Sequence, residues 1–310
     1  MLKDGIKNSV WYVLAEGIKI YFSNIDKFFI YMLFPVFGQM IGITLAFSLS
    51  LGFADKIVAK TDNPLHALLL VLLLAIPGLL IFMKAFWDYM VAYISLNSMT
   101  EGAINTGKVY DIPSHKEVAT RRAFQYVLFL LLVGVLTSIA TSIFFIIPGL
   151  VLWIYFILIF QVFTFEPELS IPDIFKKSFV LVKGNWLRTF ILLAVLIFFS
   201  IFIITEGFSV VFDYLNLTDK ICSLFNFISY QIPLDFTNKV LVYLKYPIIT
   251  PDMISKWIFM SILSFIVCGL TLPIRSICWT LWYKSLKDKK FEANTRPKRT
   301  KRQSIRKEEE

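Results

Sequence analysis

The sequence predicts an all-α fold, a polytopic helical membrane bundle of about six transmembrane helices with interfacial amphipathic helices attached. Three observations predict it. Of 310 residues, 57% are hydrophobic and only 17% are charged, against roughly 45–50% apolar and about 25% charged in soluble domains. Mean hydropathy is +0.70. Apolar runs recur from residue 28 to residue 283, most of them reaching the ~20 residues that a helix needs to cross a ~30 Å hydrocarbon core.

Residues 1–27 read as an interfacial N-terminal helix. Val10, Val13, Leu14 and Ile20 fall on one side and Asn8, Glu16, Lys19 and Ser23 on the other, with Trp11 and Tyr12 near headgroup level. Packing of this helix on the bundle is the alternative reading. No compact apolar core and small-residue cleavage site is present, so the segment is expected to stay in the mature chain. Residues 28–283 form the transmembrane domain, with spans predicted at 28–53, 65–93, 123–146, 149–165, 187–206 and 257–283. Asn97 to Arg122 reads as a polar connection, and 207–255 as an irregular outer loop in which Ile221, Leu224, Phe225 and Ile228 have the spacing of a short helix. Residues 284–310, basic and almost without apolar groups, are expected to be a disordered tail.

The centre of the chain is Phe145 to Arg188. Ile147-Pro148-Gly149 reads as an uncharged turn between two spans, and Ser170 to Gly184 as a basic amphipathic helix. Ser170 with Asp173 resembles a capping box, and Pro172 falls in the first turn, where its missing N–H costs least. Ile171, Ile174, Phe175, Ser178, Leu181 and Val182 share one face; Asp173, Lys176, Lys177 and Lys183 share the other. Gly184-Asn185 is a stop signal. The tetrad Ile76-Pro77-Gly78-Leu79 echoes Ile147-Pro148-Gly149-Leu150. A repeated hairpin plan and a chance match both account for it, and Pro77-Gly78 can be a kink or a turn.

Most of the 31 Lys and Arg fall on segments that are cytoplasmic if both termini lie inside, which is the positive-inside pattern. The IPG turn with its helix, Lys177-Ser178-Phe179, Gly184-Asn185-Trp186-Leu187-Arg188, and Pro273 with Leu281-Trp282-Tyr283 before a basic tail together resemble bacterial multi-pass proteins. These are grouped with the glycerophosphoryl diester phosphodiesterase membrane domain and the related inner-membrane proteins of the UPF0259 type. The resemblance covers about Asn97 to Lys290. It implies a helical bundle in the bacterial cytoplasmic membrane, in some members preceding a soluble phosphodiesterase barrel that has no counterpart in this sequence.

Phosphodiester hydrolysis needs metal-binding carboxylates and a histidine as acid or base. His66 and His115 are predicted on opposite sides of the membrane, and no nucleotide, serine-hydrolase or zinc motif occurs. The expectation is a non-enzyme without metal or cofactor. The candidate intramembrane polar cluster is Lys84, Asp88 and Arg275: charges at bilayer depth are costly and often line substrate or proton paths, while snorkelling or a structural Asp88–Arg275 pair is the plainer reading. Lys176, Lys177, Lys183, Lys287, Lys289 and Lys290 are candidate contacts to anionic lipid of the inner leaflet. A protein partner or a homo-oligomer is the further partner expectation. Nucleic acid is not expected, since the tail lacks aromatic residues for base stacking beyond Phe291. Cys222, Cys268 and Cys278 read as small buried hydrophobes. The functional expectation is a membrane-organising or partner- and lipid-binding module; a small-molecule or lipid permease and a phosphodiesterase accessory unit are the alternatives.

Overall fold

The computed structural model describes residues 9–295, except 62, 110, 145, 231 and 233, and every regular element among them is a helix. The order is α1 (Val10–Ser23), α2 (Ile25–Lys60), α3 (Pro64–Thr106), α4 (Ile112–Phe144), α5 (Ile146–Tyr155), α6 (Ile159–Phe165), α7 (Ile171–Val182) and α8 (Trp186–Ile197). A π-helical turn at Phe198–Ile203 leads into α9 (Ile204–Tyr214), followed by α10 (Thr218–Ser223), α11 (Asn226–Ser229), α12 (Asp235–Tyr243), α13 (Pro251–Leu270) and α14 (Leu272–Thr295).

Five segments are long and apolar enough to cross a membrane: Ile25–Ala54, Pro64–Thr106, Ile112–Ile139, Trp186–Tyr214 and Pro251–Leu270; Gly149–Phe165 is a shorter apolar helix. Leu68, Leu69, Leu72, Leu73 and Leu80 stand exposed along α3. An apolar surface of that extent belongs in lipid or against protein rather than in water, so the chain is a helical membrane protein. With 43 residues, α3 is ~65 Å long, about twice the hydrocarbon thickness.

The chain divides into two compact units. The first comprises the described residues within Met1–Tyr31, Trp87–Leu193 and Pro273–Glu310. Its apolar core joins α4 to α6 and α7: the Phe129 ring stacks on Phe163, 5.1 Å between centroids, and meets Phe175 edge-on at 6.0 Å. On α7, Ile174, Ser178, Leu181 and Val182 are buried, as their shared face predicts, while Ile171 is exposed. The Ser170 hydroxyl donates to the Asp173 carboxylate at 2.5 Å and makes no bond to a helix N–H, so the expected capping box is replaced by a side-chain pair. Gly184 ends the helix at φ +84°, a left-handed conformation that glycine adopts without a Cβ penalty. The α1 helix is packed as well as amphipathic. Val10, Val13, Leu14, Gly17 and Tyr21 are buried, and Gly17 sits so close to Cys278 on α14 that a Cβ there would lie 2.6 Å from the thiol sulfur. Trp11 and Phe22 stay exposed on its other side.

The second unit is Met32–Phe86 with Ala194–Leu272. Here α2 and α3 cross at van der Waals contact of their backbones. A Cβ on Gly42 would lie 2.7 Å from the Phe82 Cα, and one on Gly78 would lie 2.5 Å from the Gly42 carbonyl oxygen. Gly38, Gly42 and Ala46, four residues apart, form the small-residue stripe that permits this approach in membranes. In the same unit Phe259, Leu263 and Val267 of α13 pack with Ile204, Phe212, Ile221, Cys222 and Phe225. The expected short helix is thus present as α10 and α11, with Ile221 and Phe225 inward and Leu224 and Ile228 exposed.

Several boundaries differ from the sequence reading. Pro77-Gly78 is neither a turn nor a break, since α3 runs through it. Ile147-Pro148-Gly149 is not a turn either, since it lies within the helical stretch Ile146–Tyr155; residue 145, between α4 and α5, lies outside the described residues. Both Ile-Pro-Gly-Leu sites are therefore helical, and neither is itself a turn. The 149–165 span is interrupted after Tyr155, where bonds such as Ile159 N–H to Phe156 O, 3.1 Å, tighten the chain. The consequence is that adjacent rings both face α7, Tyr155 on Phe179 and Phe156 on Phe175; a regular helix rotates about 100° between neighbours and does not supply that. Asn97 to Arg122 is not a loop, because α3 continues to Thr106 and α4 starts at Ile112. The last span ends at Leu270, and α14 starts afresh at Leu272 because Pro273 has no N–H to continue α13. Within 284–310, residues 284–295 are helical, and the remainder lies outside the described residues.

Candidate functional site

The first unit brings together a charged cluster at the C-terminal end of α6 and on the middle turns of α7 and α14. Glu166 is the C-terminal cap residue of α6, its N–H donating to Val162 O, and its side chain is only 7% exposed. Three donors converge on the carboxylate. The Tyr283 hydroxyl reaches Oε1 at 2.6 Å, Lys287 Nζ reaches Oε1 at 3.0 Å, and Lys177 Nζ reaches Oε2 at 3.1 Å. Lys287 also lies 3.4 Å from the Tyr283 oxygen. Burial pushes the Glu166 carboxyl up, but hydrogen bonds from Tyr283, Lys287 and Lys177 outweigh it and hold the group below the usual carboxylate range.

Local sequence explains the convergence. Pro167 follows Glu166 and stops α6, which leaves the carboxylate at a helix end. On α7, Lys177 neighbours Ser178, whose hydroxyl donates to Tyr155 O at 2.9 Å and fixes the rotation of the helix. On α14, Tyr283 and Lys287 are one turn apart, and the Tyr283 ring stacks on Phe165 at 5.5 Å. Two further contacts seat α14: Lys284 with Glu101 at 3.2 Å and Lys289 with Asn185 Oδ1 at 3.3 Å.

Behind the cluster lies a buried polar seam. Asn97 Oδ1 accepts from Ser276 Oγ at 2.7 Å and Thr280 Oγ1 at 3.3 Å, while its Nδ2 donates to Thr164 Oγ1 at 3.2 Å. Gln161 Nε2 donates to the Tyr93 hydroxyl at 2.6 Å, and Trp282 Nε1 donates to Thr189 Oγ1 at 3.0 Å. Tyr93, Asn97 and Glu101 recur at intervals of four on α3, as do Ser276, Thr280 and Lys284 on α14. The seam fixes the register of α14, since buried polar groups that lose their partners are costly.

The sequence-derived residues fare unevenly. Lys177 and Lys287 meet on Glu166, and Lys289 bonds Asn185; Lys176 and Lys183 are exposed. Lys290 is helical, with its side chain outside the described residues. Of the intramembrane set, Lys84 is exposed in the second unit, whereas Asp88 and Arg275 are half-buried in the first. Asp88 lies in electrostatic range of Tyr31, and Arg275 in that of Tyr93. Glu166 is not among the sequence-derived candidates, and the structure adds it. Its partners lie far away in sequence, so no local spacing pointed to it, although the polar residues every fourth position on α14 were readable. Among the described residues no group of three His, Cys, Asp or Glu side chains is placed to hold a metal ion. No family model matches the chain, and no curated protein or solved structure is significantly similar to it.

Proposed function

We propose that this chain is a non-catalytic module of the bacterial cytoplasmic membrane, with both termini inside, that binds anionic lipid or a partner through its basic inner face. The convergence of Lys177 and Lys287 on a single buried carboxylate carries the reading. Two ammonium groups against one carboxylate leave a surplus of positive charge, and exposed Lys176, Lys183 and Lys289 add to it. A basic residue near an anionic leaflet contributes about 1 kcal/mol of attraction. The bacterial setting and the orientation rest on the resemblance and on the distribution of basic residues.

A permease is the second reading, supported by the half-buried charges Asp88 and Arg275, the latter in electrostatic range of Tyr93. Native mass spectrometry of the protein extracted gently with its lipids separates the two. The module reading expects anionic lipid adducts that persist in Lys84→Ala, Asp88→Ala and Arg275→Ala variants of confirmed fold. A metabolite or lipid lost in all three variants would instead make those residues a transport site.

A further inference from the structure

We infer that the Lys177–Glu166–Lys287 cluster is a phosphate clamp selective for a phosphomonoester group, such as that of a lipid whose headgroup is a bare phosphate. This deepens the lipid-binding reading above and rests on it.

The two ammonium nitrogens bond opposite oxygens of one carboxylate, at 3.1 Å and 3.0 Å. A carboxylate places its oxygens ~2.2 Å apart, so the nitrogens are at most ~8 Å apart. A phosphate has oxygens ~2.5 Å apart that accept charge-assisted bonds of ~2.8 Å, so it bridges two ammonium groups over the same reach. Glu166 thus keeps the two ammonium groups within the reach of a single phosphate. It is also buried, whereas the lysine side chains remain 41% and 47% exposed, so the clamp opens on the side away from the carboxylate.

Each ammonium has three N–H donors. Lys177 uses one on Glu166, and Lys287 uses two, on Glu166 and the Tyr283 hydroxyl. Three donors remain without a protein partner among the described residues. A phosphomonoester presents three terminal oxygens and a charge of about −1.5 to −2, while a diester headgroup presents two oxygens and a single charge. The donor number matches the monoester. Neither lysine can turn away freely, because each is anchored by the buried carboxylate and α14 is seated independently by the Lys284–Glu101 pair and the Asn97 seam.

The test uses the full chain in detergent micelles with equal amounts of dioleoyl phosphatidic acid, dioleoyl phosphatidylglycerol or dioleoyl phosphatidylcholine, with adducts counted by native mass spectrometry. A second arm titrates inorganic phosphate against the phosphatidic acid adduct and distinguishes a soluble phosphate source from a lipid one. The expected result is a preference for phosphatidic acid over phosphatidylglycerol that falls about ten-fold in the Lys177→Gln/Lys287→Gln double variant, phosphatidylglycerol adducts falling by a smaller factor. Glu166→Gln, which removes the negative charge and one of the two acceptor oxygens and so frees a donor on one lysine, is expected to raise phosphatidic acid retention although it lowers thermal stability. A merely structural cluster would give the stability loss without the gain in binding. Equal retention of the two anionic lipids, or a preference indifferent to the double variant, overturns the clamp and leaves the lipid module standing. Failure of wild type to retain any anionic lipid overturns the lipid reading itself.

Discussion

At Glu166 the balance between burial and pairing decides the chemistry. A carboxylate this enclosed survives as an anion because three donors replace its water, and removing the charge leaves two lysines facing each other. Glu166→Gln is expected to lower stability by about 1–3 kcal/mol, the range for hydrogen bonds to charged groups, with the lysines' partial exposure drawing the value toward the lower end. The folded carboxyl titrates below its ordinary value of 4.5, so its contribution is complete above that pH and is lost as pH falls through the folded value. Thermal unfolding in detergent between pH 7 and pH 3 should show this decline in wild type, and Glu166→Gln should lack that component. At Gly184 the positive φ makes a different prediction. Gly184→Ala, with open space around the added Cβ, should still cost about 1 kcal/mol because the backbone conformation itself is disfavoured.

The helices show which parts of the sequence pattern carried information and which did not. The inward face of α7 and the glycine stop after it follow from 3.6-residue periodicity and local backbone preference, both legible in one dozen residues. The Gly38-Gly42-Ala46 stripe is equally legible, as small residues every fourth position in an apolar helix, and it governs how closely α2 and α3 approach in the second unit. Gly42→Leu or Gly78→Leu is expected to destabilise by more than about 2 kcal/mol, because the new side chain meets backbone that cannot move aside. Gly52→Ala, in the same α2 helix with nothing within 4 Å, should instead be neutral or stabilising by up to about 1 kcal/mol. Resistance to unfolding in graded detergent mixtures measures both. Helix ends were the least legible feature. Polar composition suggests a loop at 97–122, yet Asn97 sits on α3 and bonds Thr164 of α6 and Ser276 and Thr280 of α14.

For the whole molecule, hydropathy and length sufficed to predict a helical membrane protein, because backbone groups in hydrocarbon must be bonded within their own segment. The charged cluster was not legible, because residues 166, 177 and 287 come together only through tertiary packing. The account's central claim is that this cluster faces the anionic inner leaflet. Single cysteines at Asp288 on α14 and Tyr243 on α12, both exposed positions, placed in a background with Cys222, Cys268 and Cys278 replaced by Ala, test it most directly. Intact bacterial spheroplasts treated with a membrane-impermeant maleimide should label Tyr243→Cys at once and Asp288→Cys only after the membrane is opened. Labelling of Asp288→Cys in intact spheroplasts would put Glu166 and its lysines on the outer side and contradict the account.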